Sequence, residues 1–161
     1  MSTRKWAPVL AFVVSAPLMA ERLTLPEGEY RGETRDGRPH GQGKIRYANQ
    51  QEYEGQFANG VPHGTGTYRW LPEGEEASGH FEQGEAVGVF GVVWADNGSY
   101  LGEIKLRPPA EAGLLPHGSG RRIYASGSEY SGSWRLGQRD GEGVWRTHKE
   151  SATRASGTPT C

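Results

Sequence analysis

The sequence predicts an all-β protein, an elongated single-layer antiparallel meander of five consecutive hairpins. Glycine is abundant, with 25 among 161 residues, and hydrophobic residues make up only 34 %, which is little for a two-layer core. Four related phrases recur along the chain: HGQGKIRY, HGTGTYRW, HGSGRRIY and DGEGVWRT. Within them, glycines and aromatic residues stand two apart, which is the spacing of side chains on one face of a strand.

The phrases belong to a longer repeat. When the chain is aligned on its tyrosines, units begin near residues 30, 53, 77, 100 and 130. The first three intervals differ by no more than one residue, and the fourth carries an insertion. Periods of about 20–50 residues are typical of arrays in which every unit is the same supersecondary element. We therefore expect one domain of about ten strands.

The second unit shows how each element is predicted. YEGQF is the first strand, ANGVPH contains the Asn-Gly signal of a hairpin turn, and GTGTYRW is the second strand. One face carries tyrosine, glycine and further rings, and the other carries Glu, Gln, Thr and Arg. Glycines normally weaken a strand. Here we expect them to leave room for rings of the neighbouring strand to lie over the backbone.

A unit of the form Y-x-G-x-(F/W)-x-x-G-x-x-H-G-x-G-x-Y-x-(W/Y) resembles the MORN repeat, and the resemblance covers about residues 30–147. Thr34, Ala77 and Phe90 depart from the pattern, as do the insertion in unit four and the fading end of unit five. The resemblance implies an elongated, twisted sheet of consecutive hairpins. It does not imply catalysis.

The first twenty residues differ from the rest. Arg4 and Lys5 precede an apolar run that ends in small residues near Ala20, which is the pattern of a secretory signal cleaved after Ala20. The alternative is a buried or interfacial N-terminal segment. Export would place the protein in the periplasm or outside the cell. We expect almost no helix outside residues 6–19.

Three further segments complete the predicted organisation: a lead-in (21–29), the repeat array (30–147) and a flexible tail (148–161). Cys161 is the only cysteine and cannot form an internal disulfide. It is either a tail thiol of no consequence or a site of intermolecular pairing.

Charge is unevenly distributed. Loss of residues 1–20 would change the formal net charge from −1 to −3. Residues 21–99 hold 7 basic and 13 acidic side chains, and residues 100–161 hold 9 and 6. This balance disfavours nucleic acid, which rewards basic clusters. It also disfavours anionic lipid, because the mature sequence has no run of four or more basic residues.

No residue pattern predicts a catalytic, cofactor or metal site. His40, His63 and His117 share one repeat position, but units two strands apart would separate these residues by roughly 9–10 Å, too far for easy sharing of a Zn²⁺ ion. They are better interpreted as turn residues. The sequence contains no nucleophile elbow, phosphate loop or Cys/His metal spacing. We expect a protein that is not an enzyme.

Candidate binding residues lie in two places. Four rings share the last aromatic position of their units: Tyr47, Trp70, Trp94 and Tyr124. They either cover glycines and join hairpins, or line a groove for a ligand. The insertion KLRPPAEAGLLPHG, residues 105–118, places Leu114 and Leu115 at a hairpin tip. These leucines are either an exposed contact or part of a tolerated surface insertion.

The sequence therefore predicts a non-catalytic binding or scaffolding module that contacts a protein partner, or a second copy of itself, through its C-terminal units. Two alternatives come from other classes. One is a peripheral membrane module that associates with phospholipid, as the MORN resemblance allows. The other is a binder of cell-wall glycan that uses Trp70 and Trp94.

Overall fold

The computed structural model describes residues 20–106, 108–110 and 114–148. Eleven antiparallel strands form one sheet in which every strand pairs with its neighbours in sequence, so the predicted meander is confirmed. No helix within these ranges is long and apolar enough to span a membrane. The strands are β1 (Glu21–Leu25), β2 (Gly28–Arg35), β3 (Arg38–Tyr47), β4 (Gln51–Ala58), β5 (Val61–Trp70), β6 (Glu75–Glu82), β7 (Glu85–Val93), β8 (Ser99–Lys105), β9 (Leu115–Ile123), β10 (Glu129–Arg135) and β11 (Gln138–Arg146).

Each predicted unit is one hairpin, from β2–β3 in unit one to β10–β11 in unit five. Apart from Ala20, the predicted signal segment lies outside the described residues, and so does the predicted tail apart from His148.

The lead-in is a strand that alignment on the tyrosines did not predict. β1 pairs with β2 from Glu21↔Gly32 to Leu25↔Gly28. Leu23 and Leu25 pack against the core, while Thr24 between them faces the other way. The signal was present in the alternation of ERLTL. It was missed because this strand lacks the tyrosine that marks the other units.

The hairpin tips are two-residue turns with both central residues in the left-handed region. Asn59 and Gly60 have φ of 53° and 92°. This is the type I′ geometry, whose twist matches that of paired strands. Three other tips repeat it, at residues 36–37, 83–84 and 136–137.

Each second strand contains a bulge at the first glycine of its pair. In unit two the register passes from Gly55↔Gly66 to Phe57↔Pro62, so the second strand carries two extra residues there. Gly64 lies inside this bulge at φ 64°. The first glycine of a pair is therefore required by the backbone, because side chains are strained at such φ values.

The second glycine is required by a ring, as the sequence predicted. A Cβ on Gly66 would lie less than 3.0 Å from ring atoms of Tyr53, and the same holds for the second glycine of units one, four and five. The Tyr53 hydroxyl donates to the Gln56 carbonyl oxygen at 3.0 Å, which holds the ring across its own hairpin. The rings then meet edge to face along the sheet, with the Tyr53 centroid 5.1 Å from Phe57 and 5.0 Å from Phe81.

Unit three reverses the arrangement. Ala77 stands where the other units have the tyrosine, and Phe90 stands where they have the second glycine. The Phe90 ring lies over Gly79 of the first strand, 2.7 Å from the place of a Cβ. Both Ala77 and Phe90 are fully buried. The two departures therefore compensate, because one ring still fills the space inside the hairpin.

Candidate binding surface

The sheet has two chemically different faces. The ring face carries the buried tyrosines of the repeat, and the outward face carries charged residues and a few exposed aliphatic ones. The four predicted rings Tyr47, Trp70, Trp94 and Tyr124 all lie on the ring face. Tyr47 is buried, and the other three are half-buried against the core. All four rings therefore pack in or against the core, and the interpretation that they also line a groove for a ligand stays a prediction.

The unit-four insertion is part of the core. Leu106, Ala110 and Leu114 are buried, and Leu114 is only 3 % exposed. The expectation that Leu114 is an exposed contact is therefore wrong. Leu115 is half-buried and begins β9, where it pairs with Lys105. A sheet with one layer leaves apolar surface open on its ring face, and these side chains cover part of it.

Gln51 holds the insertion on β4 and β5. Its side chain is 1 % exposed, and its amide donates to the Ala110 carbonyl oxygen and accepts from the Ala110 N–H, both at 2.8 Å. The same N–H lies 3.2 Å from the Tyr68 hydroxyl oxygen. A carboxamide matches one donor and one acceptor of a peptide backbone, so both ends of this buried group are satisfied.

Two further contacts fix the ends of the insertion. The Leu106 carbonyl oxygen accepts from the Ala86 N–H at 2.8 Å. Units one, two and four have a proline at the Ala86 position, which could not donate. At the other end the Glu75 carboxylate accepts from the Leu114 N–H. Burial raises the pKa of Glu75, and this hydrogen bond and the charge of Arg122 oppose the rise. The insertion therefore covers the middle of the ring face.

Beyond the insertion, the ring face stays open at the last units. We call this area the C-terminal ring surface, and it consists of Trp94, Arg122, Tyr124, Arg139 and Trp145. The Arg122 guanidinium lies 4.2 Å from the Trp94 centroid and 4.7 Å from that of Tyr124. The Arg139 guanidinium lies 5.2 Å from the Trp145 centroid. Trp145 is 44 % exposed and lies 5.2 Å from Tyr124.

Sequence reasoning found two members of this surface, Trp94 and Tyr124, and missed the two arginines and Trp145. The signal for Arg122 was available by comparing units. At its repeat position the first three units carry Ile45, Tyr68 and Val92, all buried. An arginine therefore replaces a core residue in unit four.

Ion pairs cross the outward face from strand to strand. Lys44 lies 2.7 Å from Glu52, and Arg69 lies 3.1 Å from Glu54 and 2.9 Å from Glu76. Further along the sheet, Glu129 accepts hydrogen bonds from Arg121 and Arg146, which lower its pKa. These exposed pairs hold the rows in register but add little stability.

Basic residues do cluster in space, although not in sequence. Arg22 faces Arg31, and Arg31 faces Lys44, so three cations stand in one row across β1–β3. Arg46 borders the same recess. Like charges at facing positions are normally avoided. The sequence argument against basic clusters missed this group because three separate strands supply it.

The prediction that the histidines are turn residues is wrong, because His40, His63 and His117 lie in β3, β5 and β9, each directly before the bulge glycine of its strand. His117 accepts a 3.4 Å hydrogen bond at Nδ1 from the Leu136 N–H. The rings of His63 and His80 lie 6.5 Å apart. Among the residues that the structure describes, no group of three or more His, Cys, Asp or Glu could hold a metal ion.

Comparison with known proteins identifies the repeat. The profile of the MORN repeat matches residues 30–52, 53–70, 115–129 and 130–147. The unmatched stretch, residues 71–114, contains the reversed unit three and most of the insertion. No curated protein matches the chain. Among solved structures, a similar chain is the TCP domain of SAS-4 (dCPAP) of Drosophila melanogaster, determined in complex with a proline-rich motif of Ana2 (dSTIL). Its identity is 13 % and its TM-score 0.38, over 91 % of this chain and 88 % of that one.

Three of the matches each cover one hairpin and the fourth covers β9, in agreement with the ring and glycine pattern found in the regular units. The chain is a MORN-repeat protein.

Proposed function

We propose that this protein is a non-catalytic binding and scaffolding module that acts outside the cytoplasm and docks a protein partner on its C-terminal ring surface. The observation that carries the proposal is the contrast along the ring face. The insertion fills the middle, where Gln51 and Glu75 bind its backbone. The last units leave Trp145 and Arg139 exposed and Tyr124 and Arg122 half-buried.

The chemistry of this open area suits a protein partner. Trp145, Tyr124 and Trp94 offer large rigid rings with few side-chain torsions to immobilise. Tryptophan, tyrosine and arginine are the residues that most often dominate binding energy at protein interfaces. The C-terminal ring surface brings all three together.

Site-specific crosslinking tests the surface. A photoreactive phenylalanine placed at Trp145 should give a defined adduct in the native cell. The same group at Val93, which is exposed on the outward face, should not. An adduct of twice the chain's mass would identify the partner as a second copy. Equal crosslinking from both positions, or none from Trp145, would reject the surface.

Export has its own test. The support for it is the basic start, apolar middle and small residues of positions 1–20. The mass of the protein recovered from outside the cytoplasm should correspond to a chain that begins at Glu21. Recovery of only the intact chain inside the cell would remove this part of the proposal.

A second candidate function, association with phospholipid, is favoured by the row of Arg22, Arg31 and Lys44. Vesicles of phosphatidylglycerol and phosphatidylcholine should co-sediment the protein at low salt, and Arg22→Gln with Arg31→Gln should abolish this. Arg35→Gln with Arg38→Gln, at a hairpin tip, is the matched control. If both double variants co-sediment with the vesicles as well as the unchanged protein does, the basic row is not the cause of binding.

A further inference from the structure

We infer that the C-terminal ring surface recognises an acidic partner segment, whose carboxylates bind Arg122 and Arg139. This rests on the proposed docking function and names the chemistry of the partner. The partner segment would also place an aromatic or aliphatic side chain against Trp145, which is the most open ring of the surface.

Arg122 stands at a repeat position that core residues fill in the first three units. Ile45, Tyr68 and Val92 fill the equivalent position and contribute to the core. A charged residue at such a position costs desolvation unless it is paired. The Arg122 Nε is buried and has no hydrogen-bond partner among the described residues. Departures from a local rule of this kind are concentrated at functional sites.

Ion pairing differs between the two faces of the sheet. On the outward face of the later units, Arg121 and Arg146 bond Glu129, and Arg135 lies 2.6 Å from Asp140. Within the described part of the chain, Arg122 and Arg139 come within 4.0 Å of no carboxylate. The charge of Arg122 does reach Glu75, but at longer range. Among the described residues, the ring face therefore presents two cations, Arg122 and Arg139, that have no close counter-charge.

Both guanidinium groups lie over aromatic rings. Trp94 and Tyr124 hold the Arg122 guanidinium, and Tyr130 and Trp145 hold that of Arg139. A guanidinium stacked on a ring keeps its N–H donors at its edge, where a carboxylate can accept two of them. Stacking also limits the rotamers of each side chain, so less entropy is lost when a ligand binds. The surface is thus prepared for planar anions beside apolar groups.

The test uses a twelve-residue peptide that alternates glutamate with leucine, and a matched peptide with glutamine in place of glutamate. Binding is followed by the indole N–H resonances of Trp94 and Trp145 in the folded, full-length mature protein. The glutamate peptide should shift both resonances saturably, and the glutamine peptide should bind at least about tenfold more weakly. Added salt should weaken the first peptide more than the second.

Variants locate the interaction. Arg139→Gln, at an exposed position, should weaken the glutamate peptide about tenfold. Arg135→Gln, on the opposite face of β10, should leave binding unchanged. Arg122→Gln should act like Arg139→Gln, provided that its thermal midpoint shows a folded protein. The peptide comparison needs no variant, so it decides the question even if Arg122→Gln fails to fold.

Peptide binding and crosslinking distinguish failure of the acidic-segment inference from failure of the docking surface. If neither peptide shifts the indole resonances while Trp145 still crosslinks a partner, the acidic chemistry is wrong and the docking surface stands. If crosslinking also fails, the proposed function fails with it. Binding of oligogalacturonate but not of the glutamate peptide would assign the surface to an acidic glycan and overturn the inference.

Discussion

At the scale of single residues, the glycine pair of each unit combines two separate requirements. Gly64 is needed for a left-handed backbone inside a bulge, and Gly66 is needed because the Tyr53 ring occupies the space of a side chain. Sequence reasoning predicted the second requirement from the alternation of rings and glycines. It missed the first, since a bulge changes strand register without changing the residue pattern that alternation detects.

Left-handed residues at the tips offer a residue-scale prediction. Leu136 has φ 47° and is 55 % exposed, so it bears strain without contributing much to the core. Leu136→Asn should raise the free energy of unfolding by about 1 kcal/mol, because asparagine tolerates this conformation better than leucine. The reciprocal change at the equivalent tip, Asn59→Leu, should lower it by a similar amount. Chemical denaturation measures both, and a stabilising Asn59→Leu would show that φ does not control these turns.

At the scale of elements, a hairpin requires one ring between its strands, and either strand can supply it. Regular units supply it from the tyrosine of the first strand, and unit three supplies it from Phe90 of the second. The sequence alone could have suggested the compensation, because Ala77 and Phe90 both depart from the pattern within one unit. Only the structure shows that the Phe90 ring lies over Gly79.

Because either strand can supply the ring, the effects of substitutions at Tyr53 and Gly66 on stability should be strongly coupled in unit two. Tyr53→Ala should cost about 3–5 kcal/mol by leaving a cavity, and Gly66→Phe should be as damaging because it clashes with Tyr53. The double variant reproduces unit three and should be at least about 2 kcal/mol more stable than the sum of the single effects predicts. The facing outward pair Glu54→Ala and Thr67→Val should be additive to about 0.5 kcal/mol. Additivity at Tyr53 and Gly66 would refute the shared-ring explanation.

At the scale of the whole molecule, the repeat period made the sheet predictable, and long-range contacts made the rest unpredictable. The strands, tips and ring face follow from residues within one unit. The return of the insertion to the core depends on Gln51 and Ala110, which are 59 residues apart in sequence. The basic row similarly needs three strands side by side. Neither juxtaposition leaves a periodic signal in the chain.

The whole sheet also depends on tyrosines that must stay neutral. Burial is the largest cause that raises the pKa of Tyr30 and of Tyr100 to about 12, from an ordinary value of 10.0. Burial raises the pKa of Tyr47, Tyr53 and Tyr68 still further. An unfolded chain releases these protons near pH 10, whereas the folded chain retains them. The stabilisation is therefore complete below about pH 10 and is lost as the pH rises through about 12.

We accordingly predict that the thermal midpoint falls steeply above about pH 10. The tyrosinate signals of these five residues should rise in one cooperative step that coincides with loss of the β-sheet circular dichroism signal, because buried phenols ionise only when the sheet opens. Tyr30→Phe combined with Tyr100→Phe removes two of the titrating groups. Over the same pH interval, the thermal midpoint of this variant should fall less from its own neutral-pH value than the midpoint of the unchanged protein does. Gradual ionisation of all the phenols around pH 10 with an intact sheet signal would show that these rings are accessible in the folded protein, contrary to their burial.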